Sequence, residues 1–215
     1  MKTRTGIVAK PGPKGTLIGI EGIDAAGKRT QTSLLAGWLR EKGVDTGVTS
    51  FPDYSTSIGR EIQGFLRGGR DYPAEVRHIL FAANRWENKG KLQTMLAKHR
   101  AVLVNRYTES NLAYGIANGL RLDWLLNLEA GLPKTDLVLV LNAHPSILYG
   151  RRGSTKDRYE RSVDVQEKAR DAYEELAGRL GWRIIDASKS IHATHRLVAS
   201  AVSGLLFSEH GEVQE

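Results

Sequence analysis

The stretch Leu17-Ile18-Gly19-Ile20-Glu21-Gly22-Ile23-Asp24-Ala25-Ala26-Gly27-Lys28-Arg29-Thr30 decides the fold. It opens as an apolar run of strand length that ends at Glu21-Gly22. Beyond it, Thr30 to Lys42 carries Leu34, Leu35, Trp38 and Leu39 at helical spacing, with Gly43 as a C-terminal stop. Between strand and helix lies Gly22–xxxx–Gly27-Lys28, the spacing of a phosphate-binding loop in the context that motif requires. Glycines let backbone N–H groups turn inward, and the helix N-terminus adds a positive dipole. Lys28 brings a full charge to the β- and γ-phosphates. The alternative is a glycine-rich turn without a ligand, and the strand-before, helix-after context argues against it.

On this basis Gly22, Ala25, Ala26, Gly27, Lys28, Arg29 and Thr30 are assigned to ATP. One position departs from the usual pattern. Arg29 stands where a Ser or Thr hydroxyl normally reaches Mg²⁺, and the hydroxyl comes one residue later, at Thr30. The metal site is therefore open even where phosphate binding is not.

Working outward, Val44 to Phe51 reads as a second strand closed by Pro52. Helical material follows, broken at Gly68-Gly69 and resuming after Pro73 as one long helix from about Ala74 to His99. Further strands are expected at Ala101–Val104, Leu137–Leu141 and Arg183–Ile185. Helices are expected around Ser110–Asn118, Leu122–Glu129, Asp164–Leu180 and Ile191–Phe207. Five apolar strands separated by helices imply a parallel sheet covered on both faces, with ligands beyond the carboxyl ends of the strands.

With 215 residues, one α/β domain over 16–215 is expected, preceded by a flexible basic leader over 1–15 that holds Pro11-Gly12-Pro13. No apolar run approaches the roughly 20 residues of a membrane span, and the leader lacks the apolar core of a secretory signal. A cytoplasmic protein without a membrane partner is expected. The absence of cysteine excludes disulfides, thiolate catalysis and Cys-type zinc sites. His192 and His195 share a helical spacing but have no third ligand nearby, so no protein-built metal site is expected. The net charge of +7 favours anionic partners without choosing among them. Five basic residues (Arg151, Arg152, Lys156, Arg158, Arg161) cluster in one short segment, not along a recognition helix, so no nucleic-acid partner is expected.

Glu21-Gly22-Ile23-Asp24-x-x-Gly27-Lys28-x-Thr30-Gln31 resembles the opening of thymidylate kinases. Phe51-Pro52-x-Tyr54, Phe81-Ala82-x-Asn84-Arg85, Asn105-Arg106-Tyr107, Ser110-Asn111-x-Ala113-Tyr114 and Asp157-Arg158-Tyr159-Glu160 follow in the order of that family. The resemblance runs from residue 16 to about 190. It implies a P-loop NTPase fold, a three-layer α/β/α sandwich with a five-stranded parallel sheet and a mobile lid at about 150–160. It also implies transfer of the ATP γ-phosphate to dTMP, and a homodimer packed through helices.

Residue by residue, the family implies that Arg106 grips the monophosphate, as a guanidinium at a strand end is suited to do. Phe81 stacks on the base, Arg85 bonds a thymine carbonyl, Asn111 reads the base edge, and Tyr114 sits where a ribose 2′-OH would go. Phe51, Pro52 and Tyr54 shape the pocket wall, Ser110 adjoins it, and Asp24 contacts the acceptor sugar and the metal shell. The bland alternatives are a surface ion pair for Arg106, a core role for Phe81, helix packing for Tyr114, and simple loop capping for Asp24. Some family members carry a catalytic arginine in the phosphate loop and others in the lid. Ala25 and Ala26 occupy the loop positions here, so Arg151, Arg152 or Arg158 is expected to act, with a solvated charged loop as the alternative.

Two further departures accompany Arg29: Asn105 replaces the family's usual Asp, and Asn142 ends the fourth strand where many relatives have Asp. Hard Mg²⁺ prefers carboxylate or water. The expectation is Mg²⁺ carried in by ATP and held largely through water, with Thr30 and Asp24 as indirect partners and a weakened requirement. The competing readings are a kinase of dUMP or of several monophosphates, and a non-catalytic ATP-binding module.

Overall fold

The computed structural model describes residues 15–149, 159 and 162–207. All five strands are parallel: β1 (Thr16–Glu21), β2 (Thr46–Ser50), β3 (Ala101–Asn105), β4 (Leu137–Asn142) and β5 (Arg183–Asp186), in the order β2-β3-β1-β4-β5. Helices α1 (Lys28–Glu41), α2 (Ser57–Leu66), α3 (Ala74–Glu87), α4 (Lys89–Lys98), α5 (Thr108–Ala117) and α6 (Leu122–Glu129) lie between them. The short α7 (Pro145–Tyr149), then α8 (Val163–Leu180) and α9 (Ile191–Leu206), complete the described chain.

Alternation along the strands sorts the core into two layers. Ile18, Ile20 and Leu103 belong to one apolar cluster with Leu35 and Leu39 of α1. The intervening Leu17, Val102 and Val104 belong to the other, with Leu92 and Leu96 of α4. β1 and β3 are buried along nearly their whole length, as a parallel sheet between helical layers requires.

The structure corrects two expectations. The helix expected over 74–99 is two helices, because the Asn88 side chain donates to the Asn84 carbonyl oxygen at 2.9 Å and competes with the backbone ladder there. The second strand is shorter than 44–51: Val44 N–H turns back to Leu39 O, and pairing with β3 begins at Thr46. Of the leader, only Gly15 is described, and its N–H donates to Leu96 O at 2.7 Å.

What matters for the site is register. Ile20 pairs with Asn105, so the residues that follow β1 and β3 emerge side by side. Arg106 N–H continues that pairing onto Ile20 O at 3.1 Å.

Candidate active site

The loop after β1 depends on backbone that side chains resist. Gly22 has φ +127°, and a Cβ there would stand 2.3 Å from the Leu141 carbonyl oxygen. Gly27 caps α1 in the left-handed region at φ 92°, and Ala25 also has a positive φ, 63°. Lys28 folds its ammonium back into this turn, donating to the carbonyl oxygens of Gly22 (3.0 Å) and Ile23 (2.7 Å). Its charge is thus held at the N-terminus of α1, where the first N–H groups have no helical partner. Arg29 and Thr30 are exposed on the first turn.

Beside the loop stands Arg106, held at φ 61° by the end of β3. Its Nη2 forms a close ion pair with Asp24 Oδ1, and its guanidinium lies 5.2 Å from the Tyr114 ring centroid. Asp24 Oδ2 accepts from Gln166 Nε2 at 2.8 Å, and the Tyr114 hydroxyl approaches at 3.4 Å. Burial alone raises the Asp24 pKa, but Arg106 and Lys28 more than reverse this and hold the carboxyl below its ordinary value.

A buried carboxylate beneath the pair fixes its geometry. Glu21 is fully buried, and its oxygens accept from Tyr107 N–H (2.6 Å), the Ser110 hydroxyl (2.6 Å) and the Tyr173 hydroxyl (2.8 Å). Ser110 Oγ in turn accepts from Arg106 Nη1 at 3.2 Å. Ser110 therefore orients Arg106, and its proton is already committed to Glu21.

A cavity of about 290 Å³ opens from Arg106 between α3 and α5. Asp24, Phe51, Pro52, Tyr54, Phe81, Arg85, Arg106, Ser110, Asn111 and Tyr114 all line it, as do His78, Asn105, Tyr107 and Tyr159. Phe81 is half-buried on the wall, 6.5 Å from the Tyr159 ring. Phe51 is almost wholly buried against Tyr107 and belongs as much to the core as to the cavity. Deeper in, Arg85 forms a two-pronged ion pair with Glu129, through Nε to Oε2 at 2.9 Å and Nη2 to Oε1. Asn111 Nδ2 donates to the same Glu129 Oε1 at 2.6 Å.

The three departures separate in space. Asn105 Oδ1 is buried on the cavity lining without a hydrogen-bond partner among the described residues. Asn142 instead donates to Glu174 of α8 at 2.7 Å, and Arg29 faces solvent. Among the described residues no three His, Asp or Glu side chains converge on a metal position. The basic segment with Arg151, Arg152 and Arg158 lies outside the described residues.

Gln166, His78 and Glu129 were not anticipated from sequence. His78 carries a signal in hindsight, since it stands three residues before Phe81 and shares its helix face. Gln166 and Glu129 carry none, because only the tertiary fold brings α8 and α6 to the loop and the cavity.

The chain is similar to known proteins over most of its length. The thymidylate kinase family model matches residues 20–198. A thymidylate kinase of Arabidopsis thaliana is 36% identical over 190 residues, covering 88% of this chain and 72% of the plant protein. The thymidylate kinase of Homo sapiens is 36% identical over 185 residues, covering 85% and 87%. The solved structure of thymidylate kinase from Candida albicans superposes with a TM-score of 0.80 at 30% identity, covering 89% of this chain and 92% of that one. A family match over most of the length, with relatives above 30% identity across nearly the whole chain, means that the protein belongs to the thymidylate kinase family.

Proposed function

We propose that the protein transfers the γ-phosphoryl group of ATP to dTMP, giving ADP and dTDP. The observation that carries this reading is the Asp24–Arg106 pair, which joins the triphosphate loop to the mouth of the base-sized cavity. Phosphoryl transfer needs donor and acceptor in line and charge neutralised on the moving group. Lys28 and the N-terminus of α1 serve the donor phosphates, and Arg106 serves the acceptor phosphate with the guanidinium hydrogens that Asp24 and Ser110 leave over. Asp24 orients that guanidinium and stands beside the acceptor sugar.

Phe81 supplies a stacking face, and Arg85 and Asn111 meet the base edge. The Tyr114 hydroxyl, next to Arg106 and Asp24, closes the space a ribose 2′-OH would enter. Phe51, Pro52 and Tyr54 wall the slot, and an arginine among Arg151, Arg152 and Arg158 completes the charge neutralisation from a lid over about 150–160.

Both Asp24 oxygens are engaged by Arg106, Gln166 and Tyr114, and Asn105 is neutral. The described residues do not fit a carboxylate-built Mg²⁺ site. Mg²⁺ would instead come with ATP and be held largely through water, with Thr30 and Asp24 as the residues to contact that water, and it would neutralise charge on the transferring phosphoryl group. Titrating ATP binding by calorimetry with and without Mg²⁺ tests this: the account expects a smaller gain from Mg²⁺ in the wild type than in Asn105→Asp.

The chain is read as one kinase domain over 16–215 acting in the cytoplasm; no described helix is long and apolar enough to cross a membrane. Exposed Val76 and Ile79 on α3 and Leu126 on α6 support pairing with a second copy through helices. The direct test is ADP release from ATP against dTMP, dUMP, dCMP and dGMP. Preference for dTMP supports the reading, and equal rates for all four oppose it.

A further inference from the structure

Behind Arg85 and Asn111 lies a chain of buried polar groups whose hydrogen-bond accounting has only one solution. His78 is fully buried on α3, and Asn111 is 3% exposed. Asn111 Nδ2 contacts Glu129 Oε1 at 2.6 Å and the His78 carbonyl oxygen at 3.2 Å. Both partners are pure acceptors, so this atom is the amide nitrogen and both its hydrogens are spent. The other amide atom is therefore the oxygen, and it meets His78 Nδ1 at 2.7 Å, so Nδ1 must carry a hydrogen. Nε2 is then bare, and it faces Asn118 Nδ2 at 3.3 Å, an atom that also donates to Tyr114 O at 2.6 Å. Every donor in the chain has found an acceptor. Burial moves the His78 pKa down to about 4, with Arg77 and Arg85 adding to the effect, so the ring stays neutral near pH 7.

What remains for a ligand follows by subtraction. Asn111 has no hydrogen left to give, only the second lone pair of Oδ1. Arg85 has spent Nε and one Nη2 hydrogen on Glu129, and Nη1 remains. Both groups converge on Glu129 Oε1 and both line the cavity, so a donor and an acceptor are presented side by side.

We infer that His78 is a positioning residue for acceptor specificity: its Nδ1–H pins the Asn111 amide, so that the cavity offers an acceptor beside the Arg85 donor. That pair complements the carbonyl and ring N–H of a pyrimidine-2,4-dione, as in thymine or uracil. Cytosine carries the opposite pattern, an amino donor beside a bare ring nitrogen, and leaves buried groups facing like groups. Without the Nδ1 hydrogen the amide oxygen loses its anchor and the distinction weakens. The inference rests on the base slot proposed above.

The test is the ratio of kcat/KM for dTMP over dCMP in the wild type, His78→Gln and His78→Asn. Asparagine can place an amide N–H where Nδ1 stands, whereas glutamine reaches only toward Nε2. The wild-type ratio is expected on the order of 10⁴, as for sites built around a substrate N–H. In His78→Gln the ratio should fall about tenfold or more through KM for dTMP, with KM for ATP steady, and His78→Asn should recover most of it. A purely structural role would lower both acceptors alike, and an unchanged ratio in His78→Gln overturns the proposal. A wild-type ratio near one would sink the base slot itself and the role of His78 with it. Nitrogen-15 spectra of the wild-type histidines give an answer independent of turnover and of variant folding. A protonated Nδ1 and bare Nε2 at His78 are expected, and the reverse tautomer contradicts the assignment.

Discussion

Gln166 grips Asp24 at two points: its Oε1 accepts from the Asp24 backbone N–H at 3.0 Å, and its Nε2 donates to Asp24 Oδ2 at 2.8 Å. The same Nε2 also donates to Tyr159 O at 3.1 Å, and Gln166 is fully buried. One side chain of α8 thus ties the phosphate loop to the segment that leads out of residues 150–158.

Removing that grip should be felt on both substrates. Gln166→Leu leaves the Asp24 N–H without its acceptor and Asp24 Oδ2 with only the distant Tyr114 hydroxyl at 3.4 Å, a cost of about 1–3 kcal/mol if the site stays dry. Steady-state kinetics should show kcat reduced by about tenfold with KM raised for ATP and dTMP together. A change confined to one substrate would mean that Asp24 is positioned by other means.

Arg106→Leu should be more severe. The pair is only part-buried, its side chains 20% and 14% exposed, but losing one preorganised donor aimed at the phosphate costs about two to three powers of ten in rate, and kcat/KM for dTMP is expected to fall by that much. The pH profile carries the diagnostic. Arg106 and Lys28 hold the Asp24 pKa below its ordinary value, so the stabilisation is present above the unfolded value of 3.8 and is lost as pH falls through the lower folded one. Thermal melts of the wild type should therefore lose stability as pH falls below about 4, whereas Arg106→Leu, with Asp24 no longer held down by its main partner, should be less stable at neutral pH and show a flatter acid limb.

Glu109 titrates in the opposite sense. It is 5% exposed, Thr135 donates to its Oε1 at 2.6 Å, and Oε2 has no partner among the described residues. Burial first and the Glu21 charge second raise its pKa from 4.5 to about 7. The folded state holds this proton more tightly than the unfolded chain, so stability falls as pH rises from 4.5 toward 7 and then levels off. The size is about 3 kcal/mol at 1.36 kcal/mol per unit. Melting temperature against pH should show that decline in the wild type and a flatter curve in Glu109→Gln.

The two ends of the phosphate loop should respond differently to a methyl group. In Gly22→Ala the new Cβ meets Leu141 O at 2.3 Å as well as a φ of +127°, whereas Gly27→Ala meets no atom within 4 Å. Backbone strain alone costs about 1–3 kcal/mol, so Gly27→Ala should fold with a modestly lowered melting temperature. Gly22→Ala must also push β1 from β4 and should lose several times more, seen as insoluble expression or a melt at least ten degrees lower, roughly, by the usual scaling.

Much of this was legible in the chain because its constraints are local. The phosphate loop is a backbone requirement written in neighbouring residues, and the β1 and β4 runs need no partner to be read as buried strands. The cavity residues Phe81, Arg85, Asn111 and Tyr114 came from helical spacing joined to family resemblance, and they do meet in one cavity. Asn88 was hidden, since its break of the long helix arises from a side chain competing for the Asn84 carbonyl, not from glycine or proline. Glu129 and Gln166 were out of reach because their partners lie 44 and 142 residues away. Ser110 lay at the cavity as expected, yet its proton belongs to Glu21, a commitment that no periodicity reveals.

The most direct measurement is phosphorus-31 NMR of the protein with equal ATP, Mg²⁺ and dTMP. The account predicts loss of the dTMP resonance and growth of the diphosphate signals of dTDP and ADP in equal amounts. Release of inorganic phosphate with dTMP unchanged, or an unchanged ATP spectrum, would contradict it.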